Sequence, residues 1–495
     1  MNYYLSIDQG TTGTTIALID ATSFNLIAKS NSEFRQILPA PGLVEHDLND
    51  IWATVKSCTT NLLKENCIDP KEIKAIGITN QRETTCAFNK SGTPLTNAIV
   101  WQDRRTNDFC EKLKNEGKES FIKEKTGLPI DPYFSATKIN WMLRNDKSVL
   151  ESYKNNDLLV GTIDTYLLYL LSGNKEFKTE VTNASRTMLM DLKTCQWDNE
   201  LLKTFEIPQE ILPKICCSFG TFAKTFGLDF LPDGIPITGI LGDQQSALFG
   251  QGGIEKGDLK CTYGTGAFAV VNTGTEIKYS KNGLLTTVAY QDENETIYAI
   301  EGSSYIAGAA VQWLRDNISI ISSASETEQM ARDISNLEEM KHVCFYPYFT
   351  GIGSPHWNAE AKASITGISR DTNKSHITRA CLEGIALTID ELLVAMSADL
   401  GEEIKQLCVD GGAVQNDFLL EIQASFSNLT VIRPTVIETT AFGAALAAAV
   451  GNNDYKIKDV KQLWSAEKTF PPRVEVEYHQ SKKKTWMDDQ KKIYL

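Results

Sequence analysis

The sequence predicts an α/β protein of two domains flanking a cleft, and three observations carry that expectation. The chain has 495 residues, whereas single hydrophobic cores stop growing beyond roughly 250–300 residues. A strand–polar turn–strand unit opens each half, first at residues 3–7, 8–13 and 15–19, then at 260–263, 264–266 and 268–272. Between these hairpins and after them, strand patterns alternate with helical ones, as in α/β domains.

Taken in order, the first hairpin turn carries Asp8-Gln9-Gly10-Thr11-Thr12. A strand over 74–79 ends in the loop Asn80-Gln81-Arg82-Glu83, and one over 158–163 precedes Asp164-Thr165. Gly242-Asp243-Gln244-Gln245-Ser246 reads as a glycine-flanked turn. The stretch Gly250-Gln251-Gly252-Gly253 marks a boundary between domains 1–252 and 253–495. In the second half, a strand over 406–409 leads through Asp410-Gly411-Gly412 to a helix over 416–426. A strand over 430–432, Pro434 and an alanine-rich helix from Thr439 follow.

Composition narrows the function classes. With 42% hydrophobic and 23% charged residues the chain is globular. A formal net charge of -14 repels phosphate backbones, so nucleic acid is not an expected partner. Lys482-Lys483-Lys484 is expected to be a solvated helix face. No stretch reaches the roughly 18 apolar residues of a membrane span, and the N-terminus does not read as a signal peptide. Eleven cysteines without C-x-x-C pairs fit a reducing, cytoplasmic setting.

The chemistry-bearing residues lie in the turns. Gly10-Thr11-Thr12 and Gly264-Thr265-Gly266 offer backbone N–H groups and hydroxyls of the kind that cradle phosphates. Alone, each is equally an ordinary hairpin turn. Asp8 shifts the balance, because a carboxylate beside a phosphate loop calls for an intervening cation such as Mg²⁺. No Walker pattern is present. Gly308 and Gln312, four apart, share a helix face that suits a nucleotide or simple helix packing. Gly412 and Asn416 sit where a strand ends and a helix begins, so Asn416 reads as a nucleotide contact or a plain N-cap. Arg82, Glu83 and Asp243 supply donors and acceptors for a polyhydroxy acceptor, with Trp101, Tyr133 and Phe268 as an apolar wall.

With these residues assembled, the chain resembles the FGGY carbohydrate-kinase family of the actin/hexokinase-like ATPase superfamily, and within it the members that phosphorylate glycerol. The resemblance runs essentially end to end. It rests on Ile7-Asp8-Gln9-Gly10-Thr11-Thr12, the run 76–85, Asn97-Ala98-Ile99-Val100-Trp101-Gln102, Asp131-Pro132-Tyr133-Phe134-Ser135, the run 182–189, Gly242-Asp243-Gln244-Gln245, Thr262-Tyr263-Gly264-Thr265-Gly266 and Asp410-Gly411-Gly412-Ala413-Val414. It implies two actin-like (ribonuclease H-like) domains and Mg²⁺-ATP-dependent phosphorylation of glycerol to sn-glycerol 3-phosphate. By carry-over, Asp243 is the general base. Arg82, Glu83, Tyr133, Asp243 and Gln244 bind the glycerol hydroxyls, with Trp101 and Phe268 against its carbons. Thr11, Thr12, Gly264, Thr265, Gly308, Gln312, Gly412 and Asn416 contact ATP or ADP, and Asp8 holds Mg²⁺. Relatives also imply a homodimer or homotetramer.

Three departures qualify the resemblance. Thr15 stands where bacterial relatives often carry Arg, residues 222–235 lack the arginine-containing loop that binds fructose 1,6-bisphosphate, and no His lies between His46 and His342 to serve as a mid-chain phosphorylation switch.

Overall fold

Two sheets of one design frame the computed structural model, which describes residues 2–473 and 476–495. In the first sheet, β1 (Tyr3–Gln9), β2 (Gly13–Asp20) and β3 (Leu26–Glu33) form an antiparallel meander. On the other side of β1, β4 (Ile73–Asn80) runs parallel to it; β5 (Phe219–Lys224) and β6 (Pro236–Gly242) complete the order β5-β6-β4-β1-β2-β3.

The second sheet repeats the plan. The hairpin β7 (Leu259–Tyr263) and β8 (Ala267–Gly274) is extended by β9 (Leu285–Gln291) and β10 (Thr296–Ser304). On the far side of β7 lie β11 (Gln406–Asp410), β12 (Thr430–Pro434) and β13 (Ala466–Phe470), giving β9-β10-β8-β7-β11-β12-β13. In both sheets the hairpin turn lies beside the end of a parallel strand, β4 in one and β11 in the other. The turns of the two hairpins are the phosphate-loop candidates.

Helices cover these sheets according to their apolar spacing. α1 (Leu48–Glu65) buries Leu48, Ile51, Val55, Cys58 and Leu62, one stripe at helical period. α2 (Asp243–Gly250) follows β6 directly, so Asp243 is the first residue of a helix rather than part of a free turn. α3 (Gly308–Asp316), α4 (Lys374–Leu400) and α5 (Asp417–Ser427) belong to the second half, with Asn416 capping α5 through its side chain.

The alanine-rich α6 (Thr439–Gly451) crosses back onto the first sheet. Its small side chains and the glycines beneath it allow backbone-to-backbone approach. A Cβ on Gly77 of β4 would meet the Ala444 carbonyl oxygen at 1.9 Å, and one on Gly239 of β6 the Ala447 carbonyl carbon at 2.3 Å. At the α2–α6 crossing, a Cβ on Gly443 would meet the Ser246 carbonyl oxygen, also at 1.9 Å.

The C-terminal helix α7 (Val476–Ile493) corrects one expectation. Lys482 is fully buried, its Nζ donating to the carbonyls of Met340 and Val343 at 2.6 and 2.5 Å. Lys483 pairs with Asp390, and Lys484 alone of the three is exposed. The helix packs inward because Trp486, stacked on Tyr346 at 4.1 Å, is itself buried.

Candidate active site

Arg82 and Glu83 follow the end of β4 and are 2% and 1% exposed. Such burial demands partners, and they come from three other segments. Arg82 makes a two-pronged pair with Glu301 of β10, Nη1 to Oε2 and Nη2 to Oε1 at 2.5 and 2.9 Å. Its Nε lies 3.0 Å from Asp243 Oδ1, and Nη1 reaches Gln245 Oε1 at 3.2 Å. Arg186 ties the other carboxylates, Nε to Glu83 Oε1 at 2.5 Å and Nη2 to Glu301 Oε1 at 3.0 Å.

Two guanidiniums thus sit among Glu83, Glu301 and Asp243, and the environments of the two glutamates differ. Burial opposes charge on Glu301, yet Arg186 and Arg82 hold its carboxyl at about 2. For Glu83, burial outweighs the same two arginines and raises it. Glu83 also holds φ 61, the left-handed region that costs a side-chain-bearing residue energy. Ser135 Oγ donates to its carbonyl at 2.8 Å and helps keep it there.

Glycine is required once here. A Cβ at Gly242 would lie 2.6 Å from Arg82 Cδ, so the residue before Asp243 must be bare. Asp243 Oδ1 accepts from the Gln244 backbone N–H at 2.7 Å. The helix N-terminus favours its negative charge.

Three aromatic residues come together beside these charges. Trp101 lies edge-on to Tyr133 and to Phe268, with ring centroids 5.4 and 6.4 Å apart, and Arg186 stacks over Tyr133 at 5.5 Å. Trp101 Nε1 donates to Thr11 Oγ1 at 2.9 Å. The Tyr133 loop is held from beneath by Lys138, fully buried, whose Nζ donates to the carbonyls of Pro132, Tyr133 and Phe134. Burial lowers that ammonium to about 8.

Asp8, expected in the first hairpin turn, lies instead within β1, paired in the ladder one residue before the strand ends at Gln9. Burial, with the Asp243 and Glu438 carboxylates nearby, pushes its carboxyl up to about 8. That concentration of oxygen donors suits a hard cation, although among the described residues no ready-made cluster of metal ligands forms. Thr15 pairs directly with Asp8 across the hairpin.

Across the cleft, a cavity of about 450 Å³ is lined by Gly264, Thr265, Gly308, Gln312, Gly412 and Asn416. Six of the eight predicted nucleotide contacts thus converge; Thr11 and Thr12 belong to the opposing loop. The Gly308 N–H donates to the Gly264 carbonyl at 2.9 Å, fixing α3 against the second loop. Asn416 is both a cavity residue and the N-cap of α5, its Oδ1 accepting from Leu419 N–H at 3.0 Å and its Nδ2 donating to Thr327.

Sequence reasoning assigned no role to Arg186, Glu301, Lys138 or Lys260. A signal existed for two of them: Glu301 and Lys260 are charges inside strands of buried residues. Lys260 is fully buried and donates to Gln244 Oε1, to Thr262 Oγ1 at 2.8 Å and to the Phe268 carbonyl at 3.3 Å.

Residues 3–250 match the N-terminal domain of the FGGY family of carbohydrate kinases, and residues 259–451 its C-terminal domain. The chain is 46% identical to a glycerol kinase of Bdellovibrio bacteriovorus, covering 98% of each. It is equally identical to one of Myxococcus xanthus, over 95% of each. Among solved structures it resembles Plasmodium falciparum glycerol kinase with ADP, with a TM-score of 0.92, 34% identity and coverage of 100% of this chain and 99% of that one. A xylulose kinase from Lactobacillus acidophilus shares the fold at 22% identity and a TM-score of 0.87. The chain belongs to the FGGY family of carbohydrate kinases.

Proposed function

We propose that this kinase transfers the γ-phosphoryl group of ATP to glycerol, giving sn-glycerol 3-phosphate, with Asp243 as general base. The observation that carries the reading is the placement of Asp243. Its carboxylate begins α2, lies 3.0 Å from Arg82 Nε and keeps 28% of its side chain exposed beside two almost fully buried neighbours, Arg82 and Glu83. The relatives named glycerol kinase support glycerol over a longer sugar.

In this mechanism Arg82 and Glu83 bind the acceptor hydroxyls, donor and acceptor respectively, and Tyr133 and Gln244 complete the polar set. Trp101 and Phe268 shield the carbon chain from water, which would otherwise accept the phosphoryl group. Asp243 takes the proton of the attacking primary hydroxyl as the O–P bond forms in line with the leaving ADP oxygen. Thr11, Thr12, Gly264 and Thr265 contact the phosphates, while Gly308, Gln312, Gly412 and Asn416 hold the nucleoside end. Asp8 would hold Mg²⁺, which supplies neutralisation of phosphate charge. Positioning and electrostatics provide most of the rate enhancement.

The division at 252/253, a homodimer or homotetramer, and a cytoplasmic setting, consistent with eleven unpaired thiols, belong to the same proposal. ADP release measured with glycerol, dihydroxyacetone, erythritol and xylulose tests the substrate. The highest kcat/KM is expected for glycerol; a preference for xylulose would overturn the assignment in favour of a ketose.

A further inference from the structure

We infer that Lys260 is a positioning residue for the phosphoryl acceptor: it fixes which end of the Gln244 side-chain amide faces the cleft. The inference rests on the reading above of Gln244 as an acceptor contact.

The argument begins with the chemistry of an ammonium, which has three donors and no lone pair. Lys260 is fully buried on β7, where a charge survives only if its donors are met. They are met by three oxygens: Gln244 Oε1, Thr262 Oγ1 and the Phe268 carbonyl. Lys260 and Thr262 are two apart on one strand and so share a face, and Phe268 is the cross-strand partner of Thr262. Two of the three acceptors therefore come with the hairpin that carries the second phosphate loop. Gln244 is the exception, reaching in from α2.

An amide has an acceptor end and a donor end of nearly the same shape. Here the partner decides. Because Lys260 can only donate, Gln244 must turn Oε1 toward it, which leaves the NH₂ group as the part available to a ligand. That Nε2 has no protein partner among the described residues and is not among the polar atoms shielded from solvent. Beside it, Asp243 presents an acceptor. The adjacent pair thus offers one donor and one acceptor, matching the two roles of a hydroxyl being held and deprotonated. With the amide reversed, two acceptors would face the same hydroxyl, and one lone pair would be left opposed.

A double-mutant cycle tests the inference: kcat and KM for glycerol in the wild type, Lys260→Met, Gln244→Ala and the double variant, with ADP affinity measured by calorimetry. Each single change is expected to raise KM for glycerol on the order of 10-fold, about one hydrogen bond's worth. The double variant should fall no further than the worse single, and ADP affinity should stay within about 3-fold. Additive losses would overturn the inference, as would loss of ADP affinity in Lys260→Met, because Lys260 would then only staple the phosphate hairpin. Should Lys260→Met fail to fold, Gln244→Glu carries the test: it keeps the acceptor for Lys260 but removes the donor. A wild-type KM for glycerol in Gln244→Glu would sink the proposal. If the wild type turns over another polyol but not glycerol, the substrate reading alone fails and the cycle is run on that polyol. No turnover with any polyol overturns both.

Discussion

The indole N–H of Trp101 and the hydroxyl of Thr11 meet at 2.9 Å, joining the proposed wall of the acceptor pocket to the first hairpin turn, the proposed phosphate loop. Under the proposed assignment, the two substrates are held by groups that touch each other. Trp101→Phe keeps an aromatic ring but deletes this bond. KM should rise for both glycerol and ATP, with kcat/KM down roughly 5–10-fold, the worth of one hydrogen bond. Steady-state kinetics with each substrate varied in turn would show it, and a change confined to glycerol would mean the bond does not couple the sites.

Asp243→Asn preserves the size of the group beside Arg82 and removes its basicity. We expect kcat to fall by roughly 10²–10⁴ with little loss of structure. Circular dichroism and single-turnover ADP formation separate the two effects. Near wild-type turnover would remove Asp243 from the role of base.

The Glu301 carboxyl, at about 2 against an ordinary 4.5, links acid stability to the site. A carboxylate depressed on folding adds stability that is complete above about pH 4.5 and disappears as pH falls toward 2. Glu301→Gln strips the shared partner from Arg82 and Arg186, leaving buried cations short of charge. A loss of roughly 3–5 kcal/mol at neutral pH is expected, with a flatter decline between pH 4.5 and 2. Urea unfolding at pH 7 and pH 3 reads both.

Gly308→Ala tests the nucleotide cavity separately. The new Cβ would lie 2.7 Å from the Gly264 carbonyl oxygen, a backbone atom that cannot swing aside. The second loop must shift, at roughly 1–3 kcal/mol. ADP affinity should drop about 10-fold or more, with KM for glycerol unchanged. Equal losses for both ligands would indicate that the substitution disturbs the whole cleft.

The two hairpins were legible in the sequence because strand–turn–strand signals are local, and Arg82, Glu83 and Asp243 stood out because motifs flank them. The ion-pair geometry was not. Glu301 stands 219 positions from Arg82 and 115 from Arg186, a separation that no periodicity bridges. Lys260 and Lys138 were passed over for a related reason: a buried lysine is recognisable only once its carbonyl or amide acceptors are placed. Lys482 misled because a basic triplet looks alike whether solvated or turned inward, and the burial of Trp486, four residues on, decides the face. The alanine-rich helix is legible from its composition, but its target, the glycines of β4 and β6, emerges only in three dimensions.

That crossing of α6 bears on how the chain is made. The first sheet receives part of its cover from residues 439–451, which are made after every strand of that sheet. Until then β1, β4 and β6 hold bare glycine and apolar surface where the helix will lie, a stretch open to chaperones and to mispairing. A fragment stopping at residue 252 would retain that exposed face. The family match divides at the glycine-rich stretch, but the first sheet is covered only once a helix from the second half packs on it.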